Sequence, residues 1–265
     1  MNRIGQTFER LSSSGKKALI PYVTPEFPFR NSTASVLRAI DDAGADLIEV
    51  GIPFSDPLAD GTTIQRSSEV ARLNGATIPV ILDAVSKYRK AGSKPLLLMG
   101  YYNPILHFGV RRFAAACSDA GVDGLIVPDL PPEEAGELRE ECRSRAISNV
   151  FLLAPTTSQE RIRLIDDSST DFSYCVSVTG VTGARTKLGS NGMLDEFLKK
   201  VRANVRKRFV VGFGISNAGQ VGHIWQFADG AVVGSALVDA MAQSRTPEEA
   251  ASNAAGFVRN IRPQS

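Results

Sequence analysis

Glu49 stands in a run that should be wholly apolar. Asp46-Leu47-Ile48-Glu49-Val50 reads as a buried parallel strand, and such strands are normally apolar on both faces. Burying an unpaired charge costs several kcal/mol, so this carboxylate is either satisfied by partners or used for chemistry. The strand runs into Gly51-Ile52-Pro53-Phe54-Ser55-Asp56-Pro57-Leu58-Ala59-Asp60-Gly61, a loop that brings back a second carboxylate eleven residues after the first. Alternation puts Leu47, Glu49 and Gly51 on one side of the strand and Ile48 and Val50 on the other. With the second set facing helices, Glu49 points into the interior. Desolvation there raises its pKa and suits it to exchange protons near neutral pH. Two carboxylates in unlike environments form an acid/base pair. The competing reading has Glu49 neutralising a structural cation and Asp60 capping a helix that starts near Thr63.

Glycine at the ends of three late strands is the second constellation. Gly180 and Gly183 flank Val181-Thr182, Gly212 and Gly214 bracket Phe213, and Gly234-Ser235 precedes a short helical run over 236–241. Backbone N–H groups left free at such ends, aided by a helix dipole and the Ser235 hydroxyl, point at an anion. Taken together, these pairs imply a phosphorylated substrate.

The elements that must position these groups recur along the whole chain. Short apolar runs predict strands over 18–24, 46–51, 95–101, 124–128, 149–154, 174–178, 209–213 and 230–234. Between them, apolar residues at three- and four-residue spacing predict helices over 35–43, 78–91, 110–120, 132–145, 161–168, 195–203 and 218–227. Eight strands alternating with eight helices predict a parallel sheet closed on itself, an α/β fold of the (β/α)8 TIM-barrel type. The alternative is an open doubly wound sheet, but no Gly-x-Gly-x-x-Gly follows the first strand. Ile4, Phe8 and Leu11 share one face of an extra N-terminal helix, expected to cap the bottom of the barrel. No linker or composition shift divides residues 1–265, so one domain is expected. In a barrel every strand delivers its C-terminal end to one face, where the chemistry sits. Tyr101-Tyr102-Asn103-Pro104, Asp129 and Tyr174 are further candidates to line that face.

Composition narrows the partners. A net charge of +2 is too small to argue for nucleic acid or an anionic membrane. No apolar run approaches the ~20 residues that span a bilayer, and no signal-peptide core follows the first residues. Cys117, Cys142 and Cys175 are far apart and lack His at metal-ligand spacing; they read as buried small hydrophobes in a reducing compartment. His107 and His223 have no carboxylate or Cys at ligand spacing, and Lys199-Lys200 with 206–208 reads as a solvated bottom-face loop. A cytoplasmic globular protein is expected.

The run 49–61 closely resembles the signature of the tryptophan synthase α subunit family. Also similar are Val127-Pro128-Asp129-Leu130-Pro131, Ala154-Pro155-Thr156-Thr157, the stretch from Ser177 to Arg185, Gly212-Phe213-Gly214-Ile215 and Gly234-Ser235-Ala236. The resemblance covers essentially the whole chain. It implies the barrel derived above and retro-aldol cleavage of indole-3-glycerol phosphate to indole and glyceraldehyde 3-phosphate, without cofactor or metal. Glu49 would then protonate the ring carbon bearing the glycerol chain and help remove the side-chain hydroxyl proton. Asp60 would accept a hydrogen bond from the indole N–H. Phe213, Leu153 and Val127 would wall the indole, and Tyr174 and Thr182 would line or close the site, with Thr182 bonding Asp60 when the loop shuts. Gly183, Gly212, Gly214, Gly234 and Ser235 would hold the phosphate. The implied partner is a pyridoxal-phosphate β subunit in an αββα heterotetramer, met by 53–60, Asn103-Pro104 and Asp129-Leu130-Pro131.

Two places depart from the family pattern. Residues 24–29 read Thr-Pro-Glu-Phe-Pro-Phe where a Thr-Ala-Gly-Asp-Pro-like turn is common, and Thr62 stands where Pro is frequent. Neither touches the proposed chemical groups, but both bear on loop mobility and partner affinity. Two other readings compete: a different or stand-alone enzyme on the same phosphate-binding barrel, and a non-catalytic subunit that only activates a partner.

Overall fold

The apolar runs form parallel strands that wrap into a ring. The computed structural model describes residues 2–176, 191–212 and 214–263. Its strands are β1 (Ala18–Val23), β2 (Ile48–Gly51), β3 (Leu96–Met99), β4 (Gly124–Ile126), β5 (Ser148–Val150), β6 (Leu152–Leu153), β7 (Phe172–Val176), β8 (Arg208–Gly212) and β9 (Gly230–Val233). Pairing runs β5-β4-β3-β2-β1-β9-β8-β7-β6. β5 and β6 are two pieces of one barrel strand, broken at Phe151. The first piece pairs with β4 and the second with β7, and the Phe151 carbonyl accepts the Tyr174 N–H at 3.0 Å. The fifth of the expected strands therefore closes the ring through its own break. The fold is the expected α/β TIM barrel.

Twelve helices surround it among the described residues: α1 (Arg3–Ser13), α2 (Thr33–Asp42), α3 (Thr62–Leu73), α4 (Ile78–Arg89), α5 (Tyr102–Phe108), α6 (Val110–Ala120), α7 (Gly136–Arg143), α8 (Gln159–Ser168), α9 (Asn191–Arg202), α10 (Ala218–Ile224), α11 (Ser235–Ala242) and α12 (Pro247–Ile261). The expected count of eight falls short. α5 lies where no helix was predicted, and Pro104 sits in its first turn, where no N–H is needed. α7 starts at Gly136 rather than at 132, since consecutive prolines hold the preceding residues extended. α12 is long but shows few large apolar residues; it buries alanines, Val258 and Ile261.

α1 plugs the base of the barrel as expected. Ile4, Phe8 and Leu11 are buried, and the Phe8 ring packs on Phe172 at 5.4 Å. The basic stretch on the bottom face is not simply solvated. Lys207 Nζ donates to the carbonyls of Asp166, Asp167 and Ser169 at the end of α8, where a cation meets the negative end of the helix dipole. All three cysteines are buried and free. No helix among the described residues is long and apolar enough to cross a membrane.

Phe8→Ala should cost about 3–5 kcal/mol, the usual range for emptying a buried phenyl site. Urea denaturation checks it: an unchanged midpoint would mean that α1 is not part of the cooperative core.

Candidate active site

Strand register decides which side chains face inward. In a parallel ladder, paired residues point to the same side, and Tyr22 pairs with Glu49, which pairs with Leu97. These are interior positions. At the C-terminal ends of the strands, a cavity of about 180 Å³ opens over them, lined by Tyr22, Glu49, Asp60, Met99, Tyr174 and Val176 on one part of its wall. Gly212, Gly214, Val232, Gly234 and Ser235 line the other part. The two carboxylates and the late-strand glycines, far apart in sequence, thus share one cavity.

Glu49 is 1% exposed, and among the described residues its Oε2 has no hydrogen-bond partner. That is not the setting of a carboxylate neutralising a structural cation. Burial pushes its pKa from 4.5 up to about 8; hydrogen bonding from the Tyr174 hydroxyl partly offsets this, and the nearby Asp60 charge adds to it. Asp60, less deeply buried, rises less, to about 6; desolvation raises it and the Tyr101 hydroxyl offsets part of the rise. The pair is therefore split at neutral pH. Glu49 holds a proton and Asp60 is an anion. Tyr22, Tyr101 and Tyr174 also face Asp60, and burial with these negative neighbours keeps each phenol protonated.

Two glycines make room for two of those phenols. A Cβ at Gly51 would lie 2.2 Å from the Tyr22 hydroxyl, and one at Gly212 would lie 2.3 Å from that of Tyr174. Asp60 is held by its loop. The Tyr101 hydroxyl accepts the Ala59 N–H at 2.8 Å, the Asp60 N–H donates to Pro57 O at 3.0 Å, and Gln65 Nε2 donates to the Asp60 carbonyl at 2.9 Å. It is not the helix cap of the competing reading: α3 is capped by Gly61, with no side-chain bond. Ser235 opens α11 behind Gly234, again with no side-chain cap, so the first N–H groups of that helix face the cavity end as an anion site would require.

Two expected walls lie elsewhere. Val127 follows Ile126, which pairs with Met99 on the cavity side, so alternation turns Val127 away; it lines a separate cavity of about 270 Å³ with Asp129, Leu152 and Arg161. Leu153 pairs with Cys175, between the cavity-facing Tyr174 and Val176, and therefore faces the helices. Ile64, Met99, Val176 and Val232 are the apolar walls instead. Asp129 accepts the Tyr102 N–H at 2.9 Å and so anchors the start of α5. Thr182, Gly183 and Phe213 lie outside the described residues. Tyr22 was missed, because an aromatic in a strand buried on both faces breaks no pattern.

The model of the tryptophan synthase alpha chain family matches residues 8–263. The chain belongs to the tryptophan synthase alpha chain family. An alpha chain from Pelodictyon phaeoclathratiforme is 48% identical over 268 residues, covering 98% of this chain and 99% of its own length. One from Roseiflexus castenholzii is also 48% identical, over 99% of this chain and 100% of its own. A crystal structure of tryptophan synthase subunit alpha from Legionella pneumophila has a TM-score of 0.90 at 34% identity, covering 99% of this chain and 97% of that one. A structure on the mutual activation of the tryptophan synthase a2b2 complex from Pyrococcus furiosus scores 0.85 at 41% identity, covering 92% and 97%.

In this alpha chain the raised Glu49 pKa has a sign in stability. The native state binds the proton more tightly than the unfolded chain, so the contribution is whole below about pH 4.5 and is lost as pH rises through about 8. Glu49→Gln removes this titration. The variant should gain stability over wild type between pH 5 and pH 9, by on the order of a few kcal/mol. Urea denaturation at both pH values checks it; an equal difference at each would show that Glu49 titrates normally.

Proposed function

We propose that Glu49 and Asp60 carry the reaction of this family in this chain. As a tryptophan synthase alpha chain it is a lyase, cleaving indole-3-glycerol phosphate into indole and glyceraldehyde 3-phosphate. The observation that supports the two roles is the split pair: a neutral, desolvated carboxyl and an anion on one cavity.

Neutral Glu49 gives its proton to the ring carbon that bears the glycerol chain. The ring becomes cationic, and anionic Asp60 accepts a hydrogen bond from the indole N–H and stabilises that charge. The Glu49 carboxylate then takes the proton from the neighbouring side-chain hydroxyl. Its electron pair forms the aldehyde carbonyl as the carbon–carbon bond breaks, and those bonding electrons restore the aromatic ring. Glu49 ends protonated, as it began. Proton transfer by such a positioned group contributes about 10²- to 10⁴-fold. The phosphate is held by Gly212, Gly214, Gly234 and Ser235, with Gly183 added, and its binding orients the ring between the carboxylates. Tyr174 lines the pocket, and Thr182 and Phe213 close and wall it.

The partner is a β subunit in an αββα heterotetramer. Leu58 on the loop beside Asp60 is 82% exposed and Leu106 on α5 is 55% exposed; both are apolar groups on the face proposed to be covered. We place the enzyme in the cytoplasm, acting as one domain over residues 1–265, with no nucleic-acid or membrane partner.

Release of glyceraldehyde 3-phosphate from indole-3-glycerol phosphate, with and without a β subunit, tests this. Wild type should turn over slowly alone and faster with the partner, and Glu49→Gln should lose at least about a hundredfold in kcat. Full turnover without a partner would favour a stand-alone enzyme. A Glu49→Gln chain that still activates the β subunit while wild type never cleaves would favour a purely regulatory one.

A further inference from the structure

The loop after β1 contains another buried carboxylate. Glu26 is 2% exposed, and its φ of +58° lies in the left-handed region that favours glycine. One carboxylate oxygen accepts the Asn31 N–H at 2.5 Å and the other accepts the Thr33 hydroxyl at 2.6 Å. The Glu26 N–H in turn donates to Thr33 Oγ1 at 2.8 Å. One residue therefore folds the loop back onto the first turn of α2.

The folded loop grips α3. The Thr24 and Ser67 hydroxyls, both buried, are 2.7 Å apart. The Ser67 hydroxyl also lies 2.9 Å from the Ile64 carbonyl, and the Thr24 hydroxyl also bonds Tyr22. At the C-terminal end of α3, Asn74 Nδ2 donates to the carbonyls of Glu26 at 2.8 Å and Pro28 at 3.1 Å. Only Gly61 separates Asp60 from α3, and Gln65 on the helix's first turn holds the Asp60 carbonyl. The Glu26 carboxylate thus ties the loop to α2, and the same loop, through the Glu26 and Pro28 carbonyls and Thr24, holds α3, which begins one residue after Asp60.

We propose that Glu26 is a positioning residue of this active site. It supplies, in one residue, the left-handed backbone of the loop and the carboxylate that ties the loop to α2, and together with Thr24, Ser67 and Asn74 it sets where α3 and the adjoining Asp60 stand. The inference rests on the role proposed above for Asp60. Asp60 acts on charge that develops in the ring, whereas the phosphate is gripped from β8 and β9. Displacing α3 shifts Asp60 and also Ile64, one of several apolar walls, and the loss at the charged group weakens the transition state more than the loss at one wall weakens substrate binding.

Cleavage of indole-3-glycerol phosphate by the complex with a β subunit tests this, over a pH series, for wild type, Asp60→Asn, Glu26→Gln, Thr24→Val and Thr24→Ser. Glu26→Gln and Thr24→Val should each lose about tenfold in kcat with KM held within about twofold, the scale of a small misplacement of a catalytic group. Thr24→Ser keeps the hydroxyl and should return most of the rate. In Thr24→Val the acid limb expected from the raised Asp60 pKa should move to lower pH as the loosened carboxylate becomes better solvated. Wild-type kcat and an unmoved limb in a folded Thr24→Val would overturn the inference. So would a loss that Thr24→Ser fails to restore, or a change in KM alone. If Glu26→Gln does not fold, the Thr24 pair decides. Wild-type rates in Asp60→Asn would instead show that the reading of Asp60 is wrong, and this inference would fall with it.

Discussion

A carboxyl group taken out of water on the inner wall of a parallel barrel is the constraint from which the site follows. Glu49 is deeply buried and one of its oxygens is unbonded, so the fold removes most of the hydration that normally favours the charged form. Among the described residues the surroundings supply phenols and no cation: Tyr22 and Tyr174 reach over the same cavity from other strands. A guanidinium or ammonium group there would hold Glu49 ionised and end its use as an acid. Asp60 arrives on a loop and keeps part of its access to solvent, and this difference in desolvation, more than any specific contact, separates the two carboxyls.

Accommodating those phenols constrains the strands. Tyr22 crosses to the end of β2 and Tyr174 to the end of β8, each into space that a single methyl group would fill. Gly51 and Gly212 are therefore part of the acid/base arrangement although they carry no functional group. The two glycines belong to different parts of the ring, so the cavity is shaped as much by missing side chains as by the polar ones that fill their space.

Much of this was legible in the sequence. A charge inside an apolar strand and glycines at regularly spaced strand ends are local signals, and the barrel follows from the alternation of elements. What stayed hidden depends on distances that no local pattern contains. Val127 and Leu153 were assigned as walls from their apolar character, but their facing is set by register with Met99 and Cys175, and the break at Phe151 is invisible in an unbroken apolar run. Lys207 was read as a surface charge because its three carbonyl partners come from a helix about forty residues earlier. Tyr22 looked like any core aromatic, since its importance depends on the glycine it covers. The turn at 24–29 was recognised as unusual, but the left-handed backbone and the buried carboxylate of Glu26 show only in the structure.

The plug at the base of the barrel sets an order of events during synthesis. Asn2 Nδ2 bonds Ser148 and Asp171, partners 146 and 169 positions later in the chain. At ribosomal speeds, the stretch between α1 and its last partner takes on the order of 10–30 s to make. Until β7 emerges, Phe8 lacks the Phe172 ring on which it packs, although Ile4 already has Gly124 of β4 beside it. The segment made early is thus among the last to dock, and in the interval it presents to the cell an apolar stripe that chaperones recognise and neighbouring nascent chains can capture.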